Sequence, residues 1–507
     1  MKYISTRSKT EPVESAEAIL QGLAEDGGLF VPEEIPKLKI EEIAALRDLN
    51  YEKRAATILK RFLTDYTDAE LGECSELAYN WFDIPSRVSN AVLIQDPKNP
   101  VCPIAVAELW HGPTSAFKDV ALQMLPRLMS VALKKTGEKK EILILVATSG
   151  DTGKAALAGF ADVPQTKVMV FYPDGGVSKI QRLQMVTQTG GNVNVTAVRG
   201  NFDDAQTGVK NIFGDEKIRE ELAKMNVKLS SANSINWGRL VPQIVYYFSS
   251  YVDFVKSEKI KLGDNVNIVV PTGNFGNILA AYYAKKMGLP VKKLICASNK
   301  NHVLTDFFKD GVYNRNREFY KTITPSMDIL ISSNLERLLY HESGDCATVK
   351  RLMDELNEKG KYKIDSSLKK KLDKIFYADY CDEAETSDII RKVYNSFKYL
   401  VDPHTAVALS VISKYRGKTK DLSPAIVAST ASPFKFTGSV LAALGQKVDG
   451  MDDLDQLDNL ALLTNRTIPK NLAALRKAEI LHEDICDKDE MSKKVLQFAE
   501  GCNVSEN

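Results

Sequence analysis

The chain has 507 residues, 44% of them apolar, which is enough for a large buried core and too much for one domain, so two or three domains are expected. Lys and Arg total 67 against 66 Asp and Glu, a balance that excludes a global field recruiting nucleic acid or an acidic membrane surface and leaves a small molecule as the expected partner. The seven cysteines, Cys74, Cys102, Cys296, Cys346, Cys381, Cys486 and Cys502, are scattered without a CxxC pair or a histidine at ligand spacing, which points to a reducing, cytoplasmic compartment and to no metal site.

The opening stretch MKYISTRSKTEPVESAEAIL lacks the apolar centre of a signal peptide, and Glu11, Glu14 and Glu17 argue against a transit peptide. No apolar run approaches the about 20 residues needed to cross a bilayer. Residues 1–95 read as a helix-rich domain, with EAILQGLA and YEKRAATILKRFL repeating apolar positions at helical spacing around the turn at Gly27 and Gly28. Beyond it, short apolar runs (PIAVAEL, EILILVAT, TKVMVFYP, VNIVVPTG, KKLICAS, SPAIVAST) alternate with amphipathic stretches, the pattern of parallel α/β sheets. We expect a large α/β domain from residues 96–140 and 240–450, with a helical insertion at about 335–400. A smaller α/β domain should span 141–239 and a helical tail 451–507.

Five segments carry candidate chemistry. In AELWHGPTSAFKDVALQMLPRLM an apolar run ends at Leu109, a turn follows, and a helix begins near Phe117 or Lys118. A lysine at a helix head, partly buried, is biased towards the neutral amine that a Schiff base needs, although most lysines so placed are solvated surface charges. Pro126 should kink the helix. The run EILILVATSGDTGKAALAGF predicts a strand over 141–147 and then Ser149, Asp151 and Thr152 at the start of an Ala-rich helix. It is not a nucleotide P-loop, since Thr148 and Ala155 stand where that motif needs glycine and a hydroxyl. An anion site and a simple helix cap both fit it.

SSANSINWGRLVPQIVYY gathers Asn233, Ser234, Asn236 and Arg239 before an apolar helix, a set able to bind a phosphate or carboxylate or merely to cap the helix. VNIVVPTGNFGNILAAYY predicts a strand from Val266 to Val270, a turn through Gly273, Asn274, Phe275, Gly276 and Asn277, and a helix. That layout lets main-chain N–H groups approach an anion at a positive helix end. SPAIVAST delivers Ser429 and Thr430 at a strand end, where a hydroxyl can meet a ring nitrogen. His111 and His404 are either proton shuttles or structural hydrogen-bonders.

In that order HGPTSAFKDVALQ, ATSGDTGKAA, NSINWGR, PTGNFGNILA and ASTASPFKF resemble the motifs of the threonine synthase family, as do STRS at 5–8 and GLAEDGGLFVP at 22–32. The resemblance implies the fold of the tryptophan-synthase-β-like (fold type II) enzymes, with pyridoxal 5'-phosphate as cofactor and O-phospho-L-homoserine as substrate. The implied reaction is β,γ-elimination and replacement, giving L-threonine and phosphate, the last step of threonine biosynthesis. By the same resemblance Lys118 is the Schiff-base lysine and, once free, the general base. Gly273, Asn274, Phe275, Gly276 and Asn277 form the cofactor-phosphate loop, Thr430 faces the pyridine nitrogen and Asp151 lies beside the ring oxygen. Ser149, Thr152, Asn233, Ser234 and Arg239 bind the substrate's phosphate and carboxylate.

Ser115 departs from the family's usual larger residue, and ASTASPFKF lacks the family's central histidine. Rival readings are a related phospho-lyase or serine/threonine dehydratase, a catalytically silent binding protein, and a nucleotide-driven switch. A monomer or a homodimer is expected.

Overall fold

The computed structural model describes residues 1–80, 82, 88–94 and 102–501. The domain boundary expected at 95/96 and the thiol of Cys502 lie outside these residues.

Two parallel sheets form the centre. The larger has six strands in the order Phe376–Tyr380, Val291–Ser298, Val266–Pro271, Ala425–Ser429, Ile104–Glu108 and Asn90–Ile94, all parallel except the last. The smaller is wholly parallel, ordered Asp484–Asp487, Val193–Arg199, Thr166–Pro173, Glu141–Ala147 and Val227–Ser230. Strands such as EILILVA are buried along nearly their whole length, because helices cover both faces of a parallel sheet. This is the α/β architecture expected from the alternating apolar runs.

The flanking segments hold more than helices. Residues 1–80 carry three helices of seven to twelve residues and a three-stranded antiparallel sheet built from Lys2–Ser5, Val13–Glu14 and Phe30–Pro32. Within 335–400, Phe376–Tyr380 is an edge strand of the large sheet. The segment after 450 supplies Asp484–Asp487, which pairs with Val193–Arg199 and so completes an edge of the small sheet. These strands are two to five residues long, too short to show a period of their own beside the helical one.

The aromatic side chain of Trp237 is fully buried and joins distant parts of the chain. Its ring lies 5.3 Å from Tyr3, 5.5 Å from Phe62 and 5.4 Å from Tyr283, which sits on the helix Gly276–Met287. Arg337, also fully buried, donates to the carbonyls of Phe30 (2.9 Å) and Ile235 (2.6 Å) and lies over the Trp237 ring. The N-terminal segment is thereby packed against the helices that carry the candidate site.

The kink expected from Pro126 appears as a break: one helix runs Lys118–Leu122 and the next Met124–Thr136. Pro126 has no N–H to offer the carbonyl of Leu122 four residues earlier. That carbonyl faces Gly159 of the helix Asp151–Phe160, where an added Cβ would stand 1.9 Å from the oxygen. The two helices cross this closely only because position 159 has no side chain. Gly159→Ala is expected to destabilise the protein by about 3 kcal/mol, read as a lower urea midpoint at unchanged slope.

Candidate functional site

Ligands of parallel α/β sheets sit beyond the carboxyl ends of the strands. Here the strands ending at Ala147, Pro271 and Ser429 lead into segments that line one cavity of about 1100 Å³. Lys118, Ser149, Thr152, Asn233, Ser234, Arg239, Gly273, Asn274, Phe275, Gly276, Asn277 and Thr430 all line it. Asp151 does not: it is buried one layer behind, so it meets the cavity only through its neighbours.

Lys118 opens its helix, and the turn before it is tightly specified. Asp119 accepts hydrogen bonds from the Thr114 N–H (2.8 Å) and hydroxyl (2.6 Å), and Gly112 leaves room for that carboxylate. Burial pushes the Asp119 carboxyl up to about 6. Ser115 adopts φ +59°, a left-handed conformation that costs a non-glycine residue energy; Asn471 braces its hydroxyl, and the Ser432 N–H donates to its carbonyl (3.1 Å). The N–H of Phe117 donates to the carbonyl of Thr430 (2.8 Å), which ties the head of the Lys118 helix to the strand end carrying Thr430.

The Lys118 amine lies 3.4 Å from Ser326 Oγ and 3.7 Å from Asp151 Oδ2. Burial pushes its ammonium down to about 8; Asp151 opposes that shift, while Arg239 and Lys435 add to it. Asp151 is the meeting point of several donors. Its Oδ1 accepts from Lys435 Nζ (2.8 Å) and Gln181 Nε2 (3.0 Å), and its Oδ2 from Ser326 Oγ (3.3 Å). Burial alone would raise this carboxyl, but the two lysines hold it far below the usual carboxylate range.

In the glycine turn, Phe275 takes φ +66° and caps the helix Gly276–Met287. Gly273 is required by close approach, since a Cβ there would stand 2.6 Å from the carbonyl of Ser326. The Asn277 carbonyl oxygen accepts from the phenols of Tyr246 (2.7 Å) and Tyr247, which leaves its buried amide nitrogen without an acceptor. Arg239 is buried, donates to the carbonyl of Ala232 (2.7 Å) and reaches Thr152 Oγ1 (3.5 Å), with no carboxylate paired to it among the described residues. Burial lowers its guanidinium to about 10.

Several sequence candidates resolve into structure rather than chemistry. Asn236 is spent inside the protein, donating to the carbonyls of Ile19 and Ser231 (3.0 Å each) and accepting from the Gly238 N–H (2.8 Å). Ser429 bonds Trp110 and Thr405, whereas its neighbour Thr430 borders the cavity. His404 borders it too, but both ring nitrogens are engaged, Nδ1 by Asp402 (2.8 Å) and Nε2 by the Ser326 N–H (3.3 Å). His111 is paired with Glu108 (2.9 Å), stacked on Trp110 and away from the cavity.

Sequence reasoning missed Ser326, Lys435 and Asp328. Lys435 lay within the quoted ASTASPFKF, but a lysine near a helix start has no distinguishing local signal. Ser326 lies in the single 3-10 turn Pro325–Met327 and Asp328 directly after it, a short element that no sequence period marks, so only contacts identify them. The Asp328 carboxylate accepts from Asn299 (2.7 Å), Asn301 (2.9 Å), the Thr322 hydroxyl (2.8 Å) and the Thr322 N–H (2.9 Å), and so anchors the turn carrying Ser326.

Residues 2–79 match the family described as Threonine synthase N terminus, 98–430 the Pyridoxal-phosphate dependent enzyme family and 405–492 Threonine synthase, C-terminal. The chain is 37% identical over 525 residues to threonine synthase of Saccharomyces cerevisiae, an alignment that covers 97% of this chain and 99% of that protein. It is 42% identical over 442 residues to human Threonine synthase-like 1; 85% of this chain is aligned, and the chain spans only 58% of that relative's length. The solved yeast threonine synthase superposes with a TM-score of 0.86 at 35% identity, covering 98% of each chain. The PLP-bound threonine synthase from Brucella melitensis superposes at 0.85 and 35% identity, covering 98% of this chain and 99% of that one.

Fold and cavity together define a fold type II enzyme of the pyridoxal-phosphate-dependent class. Within that class, the chain belongs to the threonine synthase family.

Removing the anchor of the Ser326 turn should be costly, because four donors lose their acceptor. Asp328→Ala is expected to destabilise the protein by about 3 kcal/mol and to make residues 315–333 more sensitive to limited proteolysis, read by mass spectrometry of the fragments.

Proposed function

We propose that this chain is a threonine synthase that converts O-phospho-L-homoserine and water into L-threonine and phosphate. The observation that carries the proposal is the buried, carboxylate-free Arg239 guanidinium bordering the same cavity as the Lys118 amine. A substrate with both a carboxylate and a phosphate needs more than one anion site. Besides the glycine turn, the cavity is lined by Arg239, which reaches Thr152 and bonds the carbonyl of Ala232, and by Ser149, Asn233 and Ser234. A serine/threonine dehydratase would have no use for the second.

The residues fit pyridoxal phosphate. Lys118 would hold it through its amine. Gly273, Asn274, Phe275, Gly276 and Asn277 would hold its phosphate at a helix N-terminus, with the orphaned Asn277 amide as a ready donor. Thr430 would offer the ring nitrogen a neutral hydroxyl, and Asp151 would act from behind through Lys118 and Ser326. When bound, the cofactor supplies an electron sink that makes substrate C–H bonds acidic.

The chain's own work is then proton transfer and charge compensation. The Lys118 amine, whose ammonium burial brings down to about 8, takes a proton from Cα; loss of one Cβ proton then lets the Cγ–O bond break and phosphate leave, Cγ takes up a proton, water adds its OH at Cβ, and a proton returns to Cα. Arg239, Thr152 and Ser149 stabilise charge gathering on the departing phosphate.

Purified protein supplied with O-phosphohomoserine should yield threonine and phosphate in equal amounts, and Lys118→Ala should lose both turnover and the visible cofactor band. If 2-oxobutyrate is the main product, the chain is a dehydratase or phospho-lyase; a protein with no cofactor band at all would be a silent binding protein. Arg239→Met should lower kcat/KM for the phosphorylated substrate by about 100-fold, the value of a lost charge-assisted contact, while the cofactor band persists.

A further inference from the structure

Lys435 is a buried cation beside the site whose presence packing does not explain. It lies in the single turn Pro433–Phe436, its side chain is completely buried, and its ammonium contacts two groups: Asp151 Oδ1 at 2.8 Å and the carbonyl of Thr114 at 2.9 Å. Burying an ammonium carries a large desolvation cost, so an apolar side chain would serve the core better. The Asp151 carboxylate thus lies between two lysines, one 2.8 Å away on Oδ1 and the other, Lys118, 3.7 Å away on Oδ2. The shorter contact belongs to the lysine that does not reach the cavity.

We infer that Lys435 is a positioning residue for Lys118: it occupies Asp151 so that the carboxylate cannot close a full ion pair on Lys118, and the Lys118 amine stays available. Without Asp151 the three cations Lys118, Lys435 and Arg239 would be left with Asp119, which faces Lys435, as the nearby counter-charge. Without Lys435 the whole carboxylate charge would fall to Lys118 and hold it as an ammonium. The other charged groups around this set are Asp119, which faces Lys435 across the Thr114 turn, and Lys154 on the helix begun by Asp151. His404 stands behind Ser326 with both nitrogens occupied. The inference rests on the reading of Lys118 as the working amine, and its test does not require cofactor.

The full-length chain, freed of pyridoxal phosphate, is trace-labelled with acetic anhydride across a pH series, and modification of Lys118 is followed by peptide mass spectrometry. The expected midpoint for the wild type is about 8. Lys435→Met and Lys435→Gln should both move it up by about one pH unit or more, leaving about tenfold less free amine near neutrality. Asp151→Asn should move it down. The glutamine variant keeps a donor for the Thr114 carbonyl, so a wild-type midpoint there would mean that Lys435 only ties the turn, and the inference is overturned. It is equally overturned if Asp151→Asn leaves the midpoint in place, a result that stands even if a Lys435 variant does not fold. Should Lys118→Ala still turn over O-phosphohomoserine, the role proposed for Lys118 in turnover fails, while these midpoints still decide the part played by Lys435.

Discussion

A carboxylate shut away from water must be compensated, and the site is built around that demand at Asp151. Burial would by itself protonate it, and two lysines, a glutamine amide and a serine hydroxyl prevent this. Those partners come from four separate stretches of chain, at 118, 181, 326 and 435, so that satisfying one anion aligns the head of the Lys118 helix, the Ser326 turn and the segment after Thr430. Asp151 also begins the helix whose Gly159 packs against the Leu122 carbonyl. One helix therefore sets the position of Lys118 twice, by charge at its first turn and by backbone contact at its last.

A second layer of positioning uses cations and dipoles directed at the main chain. Arg337 spends its guanidinium on carbonyls at Phe30 and Ile235, next to the Ser234 stretch that borders the cavity, and Asp328 gathers the donors that hold the Ser326 turn. Irregular segments cannot satisfy their own backbone groups as helices and strands do, so buried side chains satisfy them instead. The aromatic set around Trp237 adds rigid area between the N-terminal segment and the helix of the glycine turn.

Much of this was legible in the sequence wherever a signal was local. The runs ending at Ala147 and at Pro271 were visible as strands because both faces of a parallel sheet are buried. The turns after them were visible because glycine and asparagine cluster there, whereas Lys118 was picked out by its place in the family-like run HGPTSAFKDVALQ and not by its helix start alone. Two kinds of feature were not legible. Short edge strands such as Asp484–Asp487 derive their identity from the neighbour they pair with, and their sequence carries no period. Residues whose role lies in a long-range contact, such as Lys435 with Asp151 across more than 280 positions, look like any other lysine until the chain is folded. Asn236 shows the converse: its composition suggested a ligand donor, yet every polar atom of its amide is used to fasten the backbone around it.

The return of the C-terminal segment bears on how the molecule can be made. Asn471 steadies the strained turn before Lys118, and Asp484–Asp487 closes an edge of the small sheet whose other four strands all precede residue 231. During synthesis the chain therefore emerges with the small sheet open along Val193–Arg199 for more than 250 further residues. An unpaired parallel edge of that kind invites pairing with another nascent chain. The segment from Asn471 to Asp487 acts as a closing clasp, and the small sheet reaches its final form only once Asp484–Asp487 has been made and paired.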